Sequence, residues 1–293
     1  MTAGSPLPCR ARQAGGGKDP WPEVVTLQHE PLLGPADPAV FRIVNPAGRS
    51  PVLLTADHAG RAIPRRLGDL GLNDRQLASH AAWDLGVDGL GRLLAARLDA
   101  FLILHSYSRL VIDANRPPRA PDSIVGHCEQ SAIAANLAIG TAGRQRRLEE
   151  LFHPYHRRIA AELEARQGQA RPSVLVTLHS FTPVLGAEVR PWHVGVLHGR
   201  DARLASRVRR GLQRERDLRV GDNQPYAVSD ASDHTLVVHG EGRRIPHVEL
   251  EVRQDLLATK AGQEAWAQRL AGVLEAALAE GFPPLPDGTA SIG

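Results

Sequence analysis

Residues 51–60 of the chain read PVLLTADHAG. The first six positions are largely apolar and rich in branched side chains, which is the pattern of a strand buried on both faces. The run then ends at Asp57 and His58, and a glycine-containing loop follows. We therefore predict a central strand that places two polar side chains at its carboxyl end.

Similar short, branched runs recur along the chain and alternate with segments of helical periodicity. We predict further strands at 101–104, 110–112, 174–178, 194–197 and 248–253, and helices at 90–98, 142–166, 202–215 and 262–280. Strands that alternate with helices predict an α/β fold, with a mostly parallel twisted sheet flanked by helices. Because ligands bind at the carboxyl ends of strands in such sheets, polar side chains that follow strands are the first candidates for a site.

The composition favours a cytoplasmic protein with one folded domain. The chain has 293 residues, of which 42% are hydrophobic, and its 35 basic and 32 acidic residues are interspersed. We predict a single α/β domain over 23–282, between flexible tails at 1–22 and 283–293. No apolar run approaches the roughly 20 residues of a membrane helix, and no basic stripe indicates nucleic-acid binding. Two cysteines cannot form a disulfide framework. The sequence leaves the oligomeric state open.

Metal-capable side chains occur where two of the predicted strands end. His58 and His179 each closely follow an apolar run. Two neutral imidazoles and a carboxylate suit a zinc ion whose fourth position is left to water. The spacing contains no HExxH or paired-cysteine motif, so a loop-capping role for His58 and a satisfied core position for His179 remain alternatives.

The predicted strand near residue 250 carries charge on one side. Alternation places Glu249, Glu251 and Arg253 on one face and apolar residues on the other. If this strand is central, its charged side must line a polar cavity or an ion-pair network.

The segment 108–116 reads SRLVIDANR and carries groups that recognise anions. Arg109 and Arg116 flank a short apolar run, and guanidinium groups bind carboxylates in bidentate fashion. Asn115 lies beside the second arginine. A structural salt bridge between Arg109 and Asp113 is the alternative for the first.

Several of these motifs occur together in one order. They are Thr55–Ala59, Ala82–Gly86, Ser108–Arg116, Pro154–His156, Leu178–Pro183, Gly221–Tyr226 and Glu251–Arg253. Over roughly residues 50–280 the chain resembles the N-formylglutamate amidohydrolase family, which is similar in fold to zinc carboxypeptidases and aspartoacylases. The resemblance implies a hydrolase for the amide bond of an acidic N-acyl amino acid such as N-formylglutamate. It also implies one zinc ion per chain and a place in histidine degradation.

The resemblance also implies roles for individual residues. His58 and His179 hold the zinc ion, and Glu251 takes the proton of the attacking water and passes it to the leaving amine. Arg109 is the second catalytic candidate, because it can stabilise the developing oxyanion. The candidates for substrate binding are Asn115, Arg116, His156 and Arg253. For His156, a position behind the residues that contact the substrate and a position on a helix surface are the alternatives.

One departure concerns the third metal ligand. Zinc carboxypeptidases use a His-x-x-Glu pair, but the third residue after His58 is Arg61. The carboxylate ligand must therefore come from elsewhere, and Asp84 is the candidate. Its alternative role is the N-cap of a helix over 85–99.

Two rival functions remain open. The first is a deacylase or carboxypeptidase for another N-acyl amino acid or peptide, and the second is a catalytically silent binder of an acidic metabolite. A missing metal ligand would favour the silent binder. A serine hydrolase is disfavoured, because the chain has no Gly-x-Ser-x-Gly elbow.

Overall fold

A seven-stranded sheet forms the centre of the protein, whose structure is a computed structural model that describes residues 30–281. The described residues form eleven strands, of which seven belong to this sheet. They are β1 (Phe41–Val44), β2 (Val52–Ala56), β3 (Phe101–His105), β4 (His127–Cys128), β5 (Ser131–Ala132), β6 (Val174–Phe181), β7 (Val184–Leu185), β8 (Glu188–Val189), β9 (Val194–Leu197), β10 (Val220–Asp222) and β11 (His247–Arg253). The pairs β4–β5 and β7–β8 are small hairpins outside the sheet. The predicted tails at 1–22 and 283–293 lie outside the described residues.

The strand order in the sheet is β1-β3-β2-β6-β11-β9-β10. The four central strands β3, β2, β6 and β11 are mutually parallel. β1 is antiparallel to β3, and β9 is antiparallel to β11. The predicted α/β fold with a mostly parallel sheet is therefore confirmed, and the carboxyl ends of β2, β6 and β11 meet at one edge.

Helices cover both faces of the sheet, as predicted. They are α1 (Asp74–Leu77), α2 (Val87–Leu98), α3 (Ala134–Leu137), α4 (Thr141–Arg147), α5 (His153–Gly168), α6 (Arg203–Gln213) and α7 (Lys260–Ala279). A π-helical turn, Leu148–Phe152, joins α4 to α5, and a second, Leu236–Glu241, precedes β11. Short 3-10 turns lie at Arg65–Leu67, Pro121–Ser123 and Gln254–Leu257. Within residues 30–281, no helix combines the length and apolar composition that crossing a membrane requires.

The two faces of the sheet differ in polarity. On one face, α2 and α7 pack against Leu54, Val176 and Leu250 in the largest apolar core. On the other face, α5 packs against apolar side chains near the start of the strands. That second face becomes polar towards the carboxyl ends, where Thr177 and Glu249 lie side by side in register. This change of polarity creates a site without interrupting the strands.

The prediction of a strand at residues 110–112 is wrong. Leu110–Ile112 is a buried turn, in which the Val111 amide donates to the Ser108 carbonyl. Side chains satisfy its carbonyls in place of a neighbouring strand: Asn136 donates to Leu110, and Arg147 donates to Val111. The run is apolar because it is buried, so its composition did not report its backbone conformation.

Candidate active site

A cavity of about 250 Å³ opens at the carboxyl ends of β6 and β11. Seven of the nine predicted site residues line it, namely His58, Asp84, Arg109, Asn115, Arg116, His179 and Glu251. These residues come from separate loops and strands, and the fold brings them together at the edge where ligands bind in parallel sheets.

The three predicted metal ligands lie against one another. Nδ1 of His179 is 3.0 Å from Oδ2 of Asp84 and 3.1 Å from Nδ1 of His58. The third side of this triangle, from His58 Nδ1 to Asp84 Oδ2, measures 3.6 Å. Three donors in a tetrahedral zinc site lie about 3.3 Å apart, given metal–ligand distances of about 2.0–2.1 Å. The two imidazoles and the carboxylate therefore fit a zinc ion in both chemistry and spacing.

Asp113 sets the proton position on His58. Its Oδ1 is 2.6 Å from Nε2 of His58, while its Oδ2 accepts two hydrogen bonds from Arg109. Burial acts to raise the pKa of Asp113, but Arg109 and His58 hold it well below its ordinary value. Because the ionised Asp113 accepts the Nε2 proton, Nδ1 of His58 keeps a lone pair for a metal.

Asp84 is not the cap of α2. The helix begins at Val87 after an N-cap at Gly86, whose φ of 81° favours glycine. The carboxylate of Asp84 instead accepts the backbone N–H of Ser180 at 3.1 Å and faces the two histidines. The N-cap alternative is therefore wrong, and the side chain is directed into the site.

A second buried carboxylate supports His179. Oδ2 of Asp57 is 3.5 Å from Nε2 of His179, and Oδ1 accepts a hydrogen bond from the Tyr155 hydroxyl at 2.7 Å. Burial alone lowers the pKa of His179, but Glu249, Asp57 and Asp84 raise it well above its ordinary value. Carboxylates that favour a protonated imidazole also favour a metal cation at the same place.

Glu249 and Glu251 stand on one face of β11, as alternation predicted, and both are buried. Glu249 accepts a hydrogen bond from Thr177 Oγ1, whereas Oε2 of Glu251 has no partner among residues 30–281. Burial raises the pKa of both carboxyl groups, and nearby carboxylates raise it further. A dication beside them would lower both values, because it stabilises the ionised forms.

The predicted anion-binding residues also have structural partners. Arg109 forms the salt bridge with Asp113 that was the alternative to substrate binding, and its Nη1 lies 3.6 Å from Oδ1 of Asp84. Asn115 Oδ1 accepts the backbone N–H groups of His234 and Thr235. The contacts of Arg109 favour the ionised carboxylates of Asp113 and Asp84. The contacts of Asn115 stabilise the backbone at the cavity wall.

Arg116 lies at the same wall and remains partly exposed. Its Nε donates to Asp122 at 2.9 Å, and its Nη1 donates to the Ser232 carbonyl. Its side chain is 27% exposed and lines the cavity. Arg116 can therefore contact a ligand in the cavity while its hydrogen bonds to Asp122 and Ser232 stabilise the cavity wall.

His156 and Arg253 do not line the cavity. His156 is fully buried on α5, where Nε2 contacts the Ala114 carbonyl at 2.8 Å and the ring stacks on His239, so its helix-surface alternative is wrong. Arg253 ends β11 and pairs with Asp255. Alternation placed Arg253 with the glutamates, but its guanidinium turns to a partner beyond the strand end.

Sequence reasoning gave no catalytic or binding role to several residues of the site. Asp113 lies against Nε2 of His58, and Asp57 lies against Nε2 of His179. His80, Tyr226 and Asp233 line the cavity. Asp57, Asp113 and Tyr226 all belong to motifs that carried the family resemblance. Their position in those motifs was the available signal.

The fold and the cavity together define an α/β enzyme with a candidate metal centre at the carboxyl edge of its sheet. The sequence model of the N-formylglutamate amidohydrolase family matches residues 50–258, and the chain belongs to this family. It is a hydrolase that acts on amide bonds.

The chain resembles several solved structures over most of its length. A gene product of Agrobacterium tumefaciens is 36% identical, with a TM-score of 0.82, and the match covers 85% of this chain and 98% of that one. The N-formylglutamate amidohydrolase of Ralstonia eutropha is 20% identical, with a TM-score of 0.64, and the match covers 83% and 100%. At that identity the second match supports the fold alone. No curated protein sequence matches the chain.

Proposed function

We propose that the chain hydrolyses the amide bond of N-formylglutamate or a closely related acidic N-acyl amino acid, using a zinc ion held by His58, Asp84 and His179. The observation that carries the proposal is the triangle of donor atoms, with sides of 3.0, 3.1 and 3.6 Å. A zinc ion bound there supplies a Lewis acid that polarises the amide carbonyl and acidifies the attacking water.

Glu251 is the proposed general base. It pairs in register with His179 on the neighbouring strand, so its carboxylate stands beside the metal ligands. Its Oε2 is free of protein partners among the described residues and can accept a proton from the attacking water. The same carboxyl group then delivers that proton to the nitrogen of the leaving amine.

Arg109 is proposed to stabilise negative charge on both protein and substrate. Two of its N–H groups bind Asp113, which keeps that carboxylate ionised. Its Nη1 faces Asp84 at the cavity wall, which supports a role for Arg109 in stabilising an oxyanion that develops at the carbonyl. The catalytically silent alternative needed a missing ligand, and the position of Asp84 supports an active site instead.

Arg116 is proposed to bind a substrate carboxylate at the cavity wall. We expect Arg116→Ala to raise KM by about 10- to 100-fold with a smaller effect on kcat, because a hydrogen-bonded ion pair with the substrate contributes mainly to binding. Steady-state kinetics and a thermal melt measure the two effects separately. The exposed Arg119 provides a matched control, since Arg119→Ala removes the same group three residues away. A normal KM in a folded Arg116→Ala variant would limit this arginine to holding the cavity wall.

A release assay tests the proposed substrate. Zinc-loaded protein is incubated with N-formyl-, N-acetyl- and N-succinyl-L-glutamate and with the same acyl derivatives of leucine. We expect the highest kcat/KM for N-formyl-L-glutamate, measured as formate release. A higher kcat/KM on another acyl group would instead support the rival deacylase, and no release from any compound would contradict amide hydrolysis at this site.

A further inference from the structure

The motif Gly221–Tyr226 ends in a tyrosine that lines the cavity, and the mechanism above gives it no role. The hydroxyl oxygen of Tyr226 lies 2.6 Å from Nη1 of Arg190. The guanidinium carbon also lies 4.7 Å from the centre of the Tyr226 ring. The two side chains therefore form one unit at the cavity wall.

Arg190 is a buried cation. The residue is only 3% exposed, and it forms no ion pair with any residue in the range 30–281. Its charge acts on Glu251 without contact, where it opposes the rise in the pKa of that carboxyl group. Burying a charge without a carboxylate in contact is costly, so a purely structural arginine at this position is unfavourable. The hairpin of β7 and β8 fixes the position of Arg190, because the backbone N–H of Arg190 donates a hydrogen bond to the Pro183 carbonyl at 2.9 Å.

The backbone that carries Tyr226 is also held closely. The Gln224 carbonyl lies against Gly195 of β9, where an added Cβ would be 2.0 Å from that oxygen. Gly221 of β10 allows a similar approach of Gln224. β9 and β10 therefore accept only glycine at positions 195 and 221, where the segment around Gln224 crosses them. This close approach fixes the position of Tyr226 at the cavity.

The direction of the hydrogen bond determines what Tyr226 can offer. A guanidinium only donates, so the tyrosine oxygen accepts from Arg190 and its own proton is available to another acceptor. The Tyr226 hydroxyl donates no hydrogen bond to any of the residues that the structure describes. Burial raises the pKa of Tyr226, and Glu251 raises it further, so the hydroxyl keeps its proton near neutral pH.

We propose that the Tyr226 hydroxyl donates a hydrogen bond to an anionic oxygen of the substrate, and that Arg190 is the residue that positions it. This inference rests on the proposed amide hydrolysis. The oxygen belongs either to a substrate carboxylate or to the oxyanion that develops at the attacked carbonyl. The positive charge of Arg190 strengthens the donor by drawing electron density from the tyrosine oxygen.

Tyr226→Phe removes the hydroxyl and keeps the ring. We expect kcat/KM for the best substrate to fall by about 10- to 100-fold, the usual effect of losing a hydrogen bond to a charged group. Zinc content and melting temperature should stay at the wild-type values. Tyr107→Phe is the matched control, because the Tyr107 hydroxyl bonds the Pro38 carbonyl and does not line the cavity.

The kinetic constants distinguish the two sources of the anionic oxygen. A loss confined to KM identifies a substrate carboxylate, and a loss confined to kcat identifies the oxyanion. Arg190→Gln should cause the same kind of loss, and combining it with Tyr226→Phe should add little to either single change.

Unchanged kinetics in Tyr226→Phe, or a lower melting temperature with normal kinetics in Arg190→Gln, would overturn the inference. Turnover by the wild-type protein tests the proposed function. The ratio of kcat/KM in the variant to kcat/KM in the wild type tests this inference, so the two can fail separately.

Discussion

Glu251→Gln is expected to lower kcat by about 10²- to 10⁴-fold, because the amide cannot accept the proton of the attacking water. The substitution keeps the size of the side chain, and only 6% of this residue is exposed, so the fold should be undisturbed. Zinc should stay bound, since Glu251 lies outside the triangle of ligand atoms. A timed assay of formate release measures kcat, and elemental analysis of the same sample measures the zinc content.

Glu249→Gln is the internal control for this prediction. Glu249 stands on the same strand face, but its carboxylate accepts a hydrogen bond from Thr177 and lies 3.9 Å from Nε2 of His179. We expect a milder loss of kcat, because Glu249 balances charge behind a ligand. If Glu249→Gln abolished turnover while Glu251→Gln kept a near-normal kcat, the base would be Glu249. Loss of zinc from Glu251→Gln would make that carboxylate a metal ligand instead.

His179→Ala should lose both zinc and turnover. Nδ1 of His179 contacts both other donors of the triangle, so its removal leaves one imidazole and one carboxylate. Two protein ligands do not form the three-ligand set of a catalytic zinc site. His58→Ala should behave in the same way, and Asp84→Asn should weaken zinc binding more mildly, because an amide oxygen remains.

His80→Ala is the matched control for the metal-binding prediction. His80 lines the same cavity but lies outside the group of three donors. Elemental analysis of the folded variants should therefore find zinc in His80→Ala and none in His179→Ala. Full zinc occupancy in both would mean that the ligand assignment is wrong.

The sequence predicted the central strands well, because strands buried on both faces need continuous apolar runs. The runs at 174–178 and 194–197 are strands in the structure, and the polar residues that follow the strands meet at one edge. The outer strand Phe41–Val44 was missed. It is only half-buried, and its short mixed pattern does not differ from that of a loop.

The site was predicted less fully, because partners that are distant in sequence leave no local pattern. His58 and Asp113 are 55 residues apart, and Arg190 and Tyr226 are 36 apart. His156 occurs in a family motif, but motif membership does not distinguish a residue that contacts a ligand from one that packs behind it. Arg253 shows the limit of alternation, which predicts a side only while the strand continues.

Hydrolysis by this chain is proposed to depend on a metal ion at His58, Asp84 and His179. The most direct measurement is formate release from N-formyl-L-glutamate by protein that is first depleted with a chelator and then titrated with zinc. We predict that depletion abolishes turnover and that activity returns in proportion to added zinc, reaching its maximum at about one ion per chain. Turnover at the full wild-type rate by the metal-free protein would contradict the account.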